Sequence, residues 1–193
     1  MQKSRHQKIL RDQFGILVKP SQTIVALAGN PNVGKSTVFN ALTGLRQHTG
    51  NWPGKTVDNA QGSFSIKNMD FLLIDLPGTY SLFAHTIEEE IARDFICFGR
   101  PDVIVIVLDA TSLERNLNLA LQIMEVSSNI IVCVNLIDEA QKKKIIIDFP
   151  ALASELGVPV VPTAARLGIG LKELKDKIYK LAVGEINTSP YKI

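Results

Sequence analysis

The stretch "TIVALAGNPNVGKSTVFNALTG", residues 23–44, opens on a short β-branched apolar run, passes two glycines separated by four residues, and enters a helical pattern from Lys35 to about Leu42. A strand, a glycine-bracketed turn and a helix N-terminus in that order bring backbone N–H groups and positive potential to one point. That point suits the dense negative charge of a phosphate. Gly29, Asn30, Pro31, Asn32, Val33, Gly34, Lys35, Ser36 and Thr37 are the candidate contacts. In this frame Lys35 bridges β- and γ-phosphate oxygens and Ser36 gives its hydroxyl to Mg2+.

Outward from this unit, apolar runs alternate with amphipathic segments, the pattern of parallel strands joined by helical crossovers. "GSFSIKN" and "MDFLLIDLPG" are close enough to form an antiparallel pair at one edge. "HTIEEEIARDFICFG" puts Ile87, Ile91, Phe95 and Phe98 on one helical face, which Gly99 ends. "PDVIVIVLDA" and "NIIVCVNLID" read as buried strands, and "LERNLNLALQIMEV" as the helix between them. Pro150 can start and Gly157 can stop a short helix, "VPVVPTAA" is a last strand, and Leu171, Leu174, Ile178 and Leu181 mark the closing helix. The expected architecture is a three-layer α/β domain over residues 21–183, preceded by a basic extension, 1–20, and followed by a tail, 184–193.

Three further motifs follow the phosphate loop. In "DLPG", Asp75, Leu76, Pro77 and Gly78 end a strand where a carboxylate can join the magnesium shell and Gly78 N–H can meet a γ-phosphate. In "NLID", Asn135, Leu136, Ile137 and Asp138 supply the base reader: the Asp138 carboxylate accepts two hydrogen bonds, and guanine offers N1–H and its 2-amino group side by side. In "TAA", Thr163, Ala164 and Ala165 can add a backbone N–H to the guanine 6-oxo group.

A second magnesium hydroxyl must come from a loop that folds over the γ-phosphate. Within "HTGNWPGKTVDN", residues 48–59, Gly54, Lys55 and Thr56 are candidates; Thr56 is the first choice of donor, with Thr43 and Thr49 as others. The same stretch holds the single tryptophan, Trp52, between Gly50 and Gly54. A lone tryptophan usually fills a core, yet this segment reads as a mobile loop.

Phosphate loop, DxxG, NxxD and small-residue turn, in that order, resemble the GTPase superfamily over residues 23–182. "GNWPGKTV", "DLPGTYSL", "EEEIARDFI" and "DATSLERNL" sharpen the likeness to the cytoplasmic G domain of the FeoB ferrous iron transporters. The resemblance implies a P-loop GTPase (Ras-like) fold, mostly parallel with one antiparallel edge strand. It also implies GTP/GDP as ligands, slow Mg2+-dependent hydrolysis with Lys35, Thr56, Gly78 and Asn32 in catalytic roles, and a domain that regulates iron uptake at the inner membrane. The family further implies stimulation by K+, held by the Asn32 side chain and by backbone carbonyls of Gly50 and Trp52; Asn32 as a plain turn residue is the alternative. A helical domain and a polytopic membrane portion normally follow, so the expected partner is that membrane portion or other subunits, and the chain reads as an excised domain or a free-standing form. A switch GTPase of ribosome assembly or tRNA modification is the other reading, because such proteins share "GxPNVGKS".

Many relatives orient the attacking water with a glutamine just after DxxG. Here Thr79 and Tyr80 stand there, and no glutamine occurs between Gln61 and Gln122, so backbone groups of the two switches are expected to hold the water. Arg46 could act as a finger in cis, or be an ordinary loop arginine.

Composition agrees with this class and excludes others. The 193 residues are 46% hydrophobic and 21% charged with a net charge of +2, as in an ordinary globular domain. Lys3, Arg5, Lys8, Arg11 and Lys19 against Asp12 make the first twenty residues basic, which reads as a solvated, frayed end or a contact for a membrane surface or an acidic partner. The remainder carries a net negative charge, so nucleic acid is not an expected partner. Cys97 and Cys133 sit in apolar runs as reduced thiols of a cytoplasmic protein, and His6, His48 and His85 are scattered without a ligand pattern for iron. The longest apolar run, Val103 to Leu108, is far short of the ~20 residues that cross a bilayer.

Overall fold

The computed structural model describes residues 6, 9, 10, 12–44, 47–83 and 85–192. Lys3, Arg5, Lys8, Arg11 and Arg46 lie outside them. In chain order the elements are β1 (Thr23–Gly29), α1 (Lys35–Thr43), β2 (Gln47–Asn51), β3 (Asp58–Ile66), β4 (Met69–Asp75), α2 (Ile87–Asp94), β5 (Val103–Asp109), α3 (Leu113–Val126), β6 (Ile130–Asn135), α4 (Ile137–Lys142), α5 (Phe149–Leu156), β7 (Val160–Pro162) and α6 (Leu171–Ala182).

The strands form one sheet in the order β2-β3-β4-β1-β5-β6-β7. Its middle is parallel and buried on both sides, which is why β1 and β5 are apolar at nearly every position. Ile24, Ala26, Ile104 and Ile106 face one core, and Val25, Leu27, Val103 and Val105 face the other. Only β3 runs against the rest, pairing antiparallel with both β2 and β4. Lys67 and Asn68, with φ of 48° and 65°, make the tight two-residue connection from β3 to β4. The expected antiparallel edge is therefore present, with β2 added outside it.

The register aligns the strand ends. Leu27 pairs with Asp75, Gly29 with Val107, and Asp109 with Asn135, so the segments after β1, β4 and β6 emerge along one rim of the sheet. At the helix ends, Asp148 caps α5 by accepting from Ala151 N–H, and Gly157 ends it in the left-handed region, as Pro150 and Gly157 implied.

Three features depart from the sequence-based expectations. Residues 48–59 are not an open loop: β2 and β3 form a hairpin whose turn is held by Trp52 N–H to Val57 O and Lys55 N–H to Trp52 O, both 3.0 Å. Trp52 is only 2% exposed and belongs to the core beneath the sheet. The described part of the N-terminal extension is not frayed, since Leu10, Phe14 and Ile16 are buried in that same core. Finally, α2 widens into a π-helical turn at Phe95–Gly99. The extra residue per turn rotates the apolar face, so Ile96 is buried while Phe98 is 59% exposed, and Ile87 at the first turn is 45% exposed.

Candidate functional site

The turn after β1 is shaped by two left-handed residues, Asn32 (φ 66°) and Gly34 (φ 82°). Gly34 is required twice over, because a Cβ there would also collide with the Asn135 side-chain amide. That amide braces the turn. Asn135 Nδ2 donates to Val33 O at 3.1 Å, and its Oδ1 accepts from Thr163 Oγ1 and Ala165 N–H, each at 3.1 Å. Asn135 thus positions the phosphate loop and the "TAA" turn relative to each other. The first turn of α1 has no side-chain cap and no acidic residue, which leaves its N–H groups facing outward for an anion.

Lys35, first residue of α1, places Nζ 3.0 Å from Asp75 Oδ1 at the end of β4, and both side chains are nearly buried. Burial pushes the Asp75 carboxyl above the ordinary carboxylate range, and the Lys35 ammonium offsets part of that rise. The segment after Asp75 is tied to the phosphate loop by Leu76 N–H to Leu27 O (3.0 Å) and Thr79 N–H to Gly29 O (3.2 Å). Gly78 lies so close that a Cβ would come within 3.1 Å of Pro31 Cα.

A cavity of about 610 Å³ opens here, with Lys35, Ser36, Asp75 and Pro77 on one wall and Thr49, Gly50, Asn51, Asp58 and Asn59 on the other. Two carboxylates and one ammonium leave this space with a deficit of positive charge toward any polyphosphate. Ser36 and Asp75 offer hard oxygen donors, the set that suits Mg2+. Asn59 is buried with its Oδ1 unpartnered among the described residues, and Asn30 Oδ1 is likewise unpartnered. Asp58, Asn59 and Asn51 were not apparent as site residues, since only the β2–β3 pairing brings them to the cavity.

Other expected contacts stand apart from it. Thr56 is exposed on the hairpin turn and does not line the cavity, whereas Thr49 does. Lys55 pairs with Glu90 of α2 at 2.9 Å, which holds the Glu90 carboxyl below its usual range. Of the three groups expected around K+, Gly50 lines the cavity, while the Trp52 carbonyl accepts from Lys55 N–H. Val33 is packed into the core and Thr37 is exposed, whereas Leu76, though buried, does line the cavity.

At the base-reading end, Leu136 adopts φ 64° and turns the chain into α4, with Ile137 N–H donating to Thr163 O at 3.2 Å. The Asp138 carboxylate is met by Arg166 Nη2 at 3.3 Å, a partner the motif itself did not disclose. The three N–H groups of the "TAA" turn are already engaged: Thr163 with Val134 O (2.8 Å), Ala164 with Ile169 O (3.2 Å) and Ala165 with Asn135 Oδ1 (3.1 Å). The expected free N–H for a guanine 6-oxo group is therefore absent from this conformation. Past DxxG, Thr79 is buried and the Tyr80 ring lies 4.8 Å under the Arg115 guanidinium.

The sheet order, the braced glycine turn over the helix N-terminus and the carboxylate at the end of the neighbouring strand define a P-loop GTPase fold. The same arrangement recurs in a solved G domain of the T. maritima FeoB iron transporter, which is 47% identical, with a TM-score of 0.79 over 83% of this chain and 99% of that one. The profile of the N-terminal family of Ferrous iron transport protein B matches residues 23–178, and the chain belongs to that family. The cytosolic domain of T. maritima FeoB in its GMPPNP form is 45% identical, with a TM-score of 0.81 over 88% of this chain and 67% of that one. The Fe(2+) transporter FeoB of Shigella flexneri is 44% identical over 165 residues, which are 83% of this chain and 21% of that protein. The chain thus spans about a fifth of the length of such curated relatives. No described helix is long and apolar enough to cross a membrane.

Proposed function

We propose that this chain binds GTP and hydrolyses it to GDP and phosphate, and serves as the cytoplasmic regulatory domain of a ferrous iron uptake transporter. The observation that carries the proposal is the nearly buried Lys35–Asp75 pair at the mouth of the braced glycine turn. An ammonium and a carboxylate kept from water beside a helix N-terminus form a site whose charges find better partners in a phosphate and a cation. In this reading Lys35 leaves Asp75 for the β- and γ-phosphates. Ser36 and Asp75 would hold Mg2+, which when bound would supply charge neutralisation to the phosphoryl group.

Asp138 reads the guanine edge once Arg166 moves aside. Thr56 joins the magnesium ligands only when the hairpin turn swings toward the cavity. Gly78, packed on Pro31, offers its N–H on the γ-phosphate side. The Thr79 side chain is buried and the Tyr80 ring is stacked by Arg115, which favours backbone groups of the two switches for orienting the attacking water. K+ stimulation enters the proposal for a conformation in which Trp52 has released Lys55 N–H.

Steady-state GTP hydrolysis with Mg2+, compared in KCl and NaCl, tests the reading. The expected result is turnover that is faster in KCl and lost in Lys35→Ala, with Asp138→Asn shifting preference from guanine toward xanthine nucleotides. Equal and negligible rates in both salts would reject hydrolysis, and guanine nucleotide affinity untouched by both substitutions would reject the site.

A further inference from the structure

Trp52 is seated against the N-terminal extension. Its ring meets Phe14 edge-on at 6.3 Å between centroids and Phe95 at 5.8 Å, and Phe14 meets Phe95 at 5.2 Å, so the three rings close on one another. Leu10 and Ile16 are buried in the same cluster, and Ile16 N–H to Leu10 O at 3.0 Å folds the segment back at this point. One residue past Phe14, Gly15 adopts φ 65° and lies so near the hairpin that a Cβ would stand 3.0 Å from Pro53 Cγ. At the other end of the same segment, His6 Nε2 reaches Gly99 O at 2.6 Å. The N-terminal segment therefore spans from the hairpin turn to the π-helical turn after α2.

Two observations mark this seat as one that Trp52 can leave. Trp52 Nε1 is buried without a hydrogen-bond partner among the described residues, a standing cost that exposure to water would remove. The hairpin's outer strand, β2, pairs only with β3 at the sheet's edge, and the Lys55–Glu90 pair that ties the turn is solvent-facing and weak. With Trp52 seated, Thr56 stays outside the cavity that holds Lys35, Ser36 and Asp75.

We propose that the N-terminal segment is an autoinhibitory strap: through Phe14 it holds Trp52, and with it the hairpin, in a conformation that keeps Thr56 from the metal and γ-phosphate. Phe14 is a positioning residue in this scheme. The strap rests on the reading of residues 48–59 as a nucleotide-sensing switch. A triphosphate with Mg2+ recruits Thr56 and pulls Trp52 out; a diphosphate has no γ-phosphate to recruit it and leaves the strap closed.

Trp52 is the chain's single tryptophan, so its fluorescence reports the seat directly. In the unaltered chain, Mg2+ with a non-hydrolysable GTP analogue should shift the emission to longer wavelength, and Mg2+ with GDP should not. Phe14→Ala should show the long-wavelength emission without nucleotide and raise affinity for the analogue relative to GDP by about tenfold, the factor that ~1.4 kcal/mol supplies. Phe14→Leu, which keeps apolar volume and loses the ring contact, should fall between, and circular dichroism establishes that each variant is folded. Tight analogue binding with unmoved emission in the unaltered chain overturns the strap, as does an unchanged affinity ratio in both variants. Should the unaltered chain bind neither nucleotide, the functional reading itself falls; binding of both with equal emission removes the strap alone.

Discussion

Truncating Asn135 to alanine removes one amide and strands the Val33 carbonyl and the Ala165 N–H in a region closed to water, while the Thr163 hydroxyl keeps only its contact with Cys133 Sγ. Each buried group left unpaired costs about 1–3 kcal/mol, so the expected loss for Asn135→Ala is at least ~2 kcal/mol in denaturant titration, together with weaker nucleotide binding. Asp75 carries a different signature. Burial raises its pKa, so the fold favours the neutral form; its ionisation opposes stability above the folded value, and that opposition fades as pH falls. A metal ion needs the carboxylate. Mg2+ affinity of the nucleotide complex should therefore weaken on acidification from a pH above the ordinary carboxylate range, and Asp75→Asn should give a weak, flat profile in Mg2+ titrations. Both residues were legible from the spacing of their motifs. What the spacing did not disclose was that Asn135 bonds three groups of the protein itself, since its partners come from segments 28 or more positions away.

At the scale of elements, period and punctuation identified the buried strands and the capped helices because those signals are local. The π-helical turn escaped, since one inserted residue leaves composition unchanged while re-aiming everything after Phe95. Gly99 is the cheapest place to test its packing. A Cβ there would stand 2.9 Å from the Phe95 ring, so Gly99→Ala should destabilise the fold by about 1–3 kcal/mol. At this chain length a melting temperature responds by roughly 2–4 °C per kcal/mol. The β2–β3 hairpin was also read as a loop, and for a similar reason: Gly50, Gly54 and Pro53 look like breakers, while the pairing that makes them a turn is supplied by β3 and the core beneath.

Across the whole molecule, cooperativity can be read from Cys133. Complete burial pushes its thiol up to about 12 despite its contact with Thr163, which leaves almost no thiolate at neutral pH. Pulsed alkylation at pH 8 should spare Cys133 in the folded chain and modify it along the same denaturant curve as loss of helical dichroism; earlier modification would reveal a separate opening of β6. The order of motifs displayed the parallel sheet and the family, but not the role of either terminus, because burial of Leu10, Phe14 and Ile16 depends on Trp52 and Phe95 arriving from elsewhere. The tail likewise docks, with Ser189 N–H on Gly157 O and Tyr191 N–H on Leu156 O. One pairing row links rim to centre: Thr49 lies opposite Ala60, and Ala60 opposite Asp75. Since β2 walls the cavity, peeling it away would admit water to the Asp75 carboxylate and return its acidity toward that of a free side chain. The sheet's outermost backbone bonds would thereby tune how firmly a cation at Asp75 could be gripped two strands inward, coupling mechanical fraying at the margin to proton and metal competition at the centre.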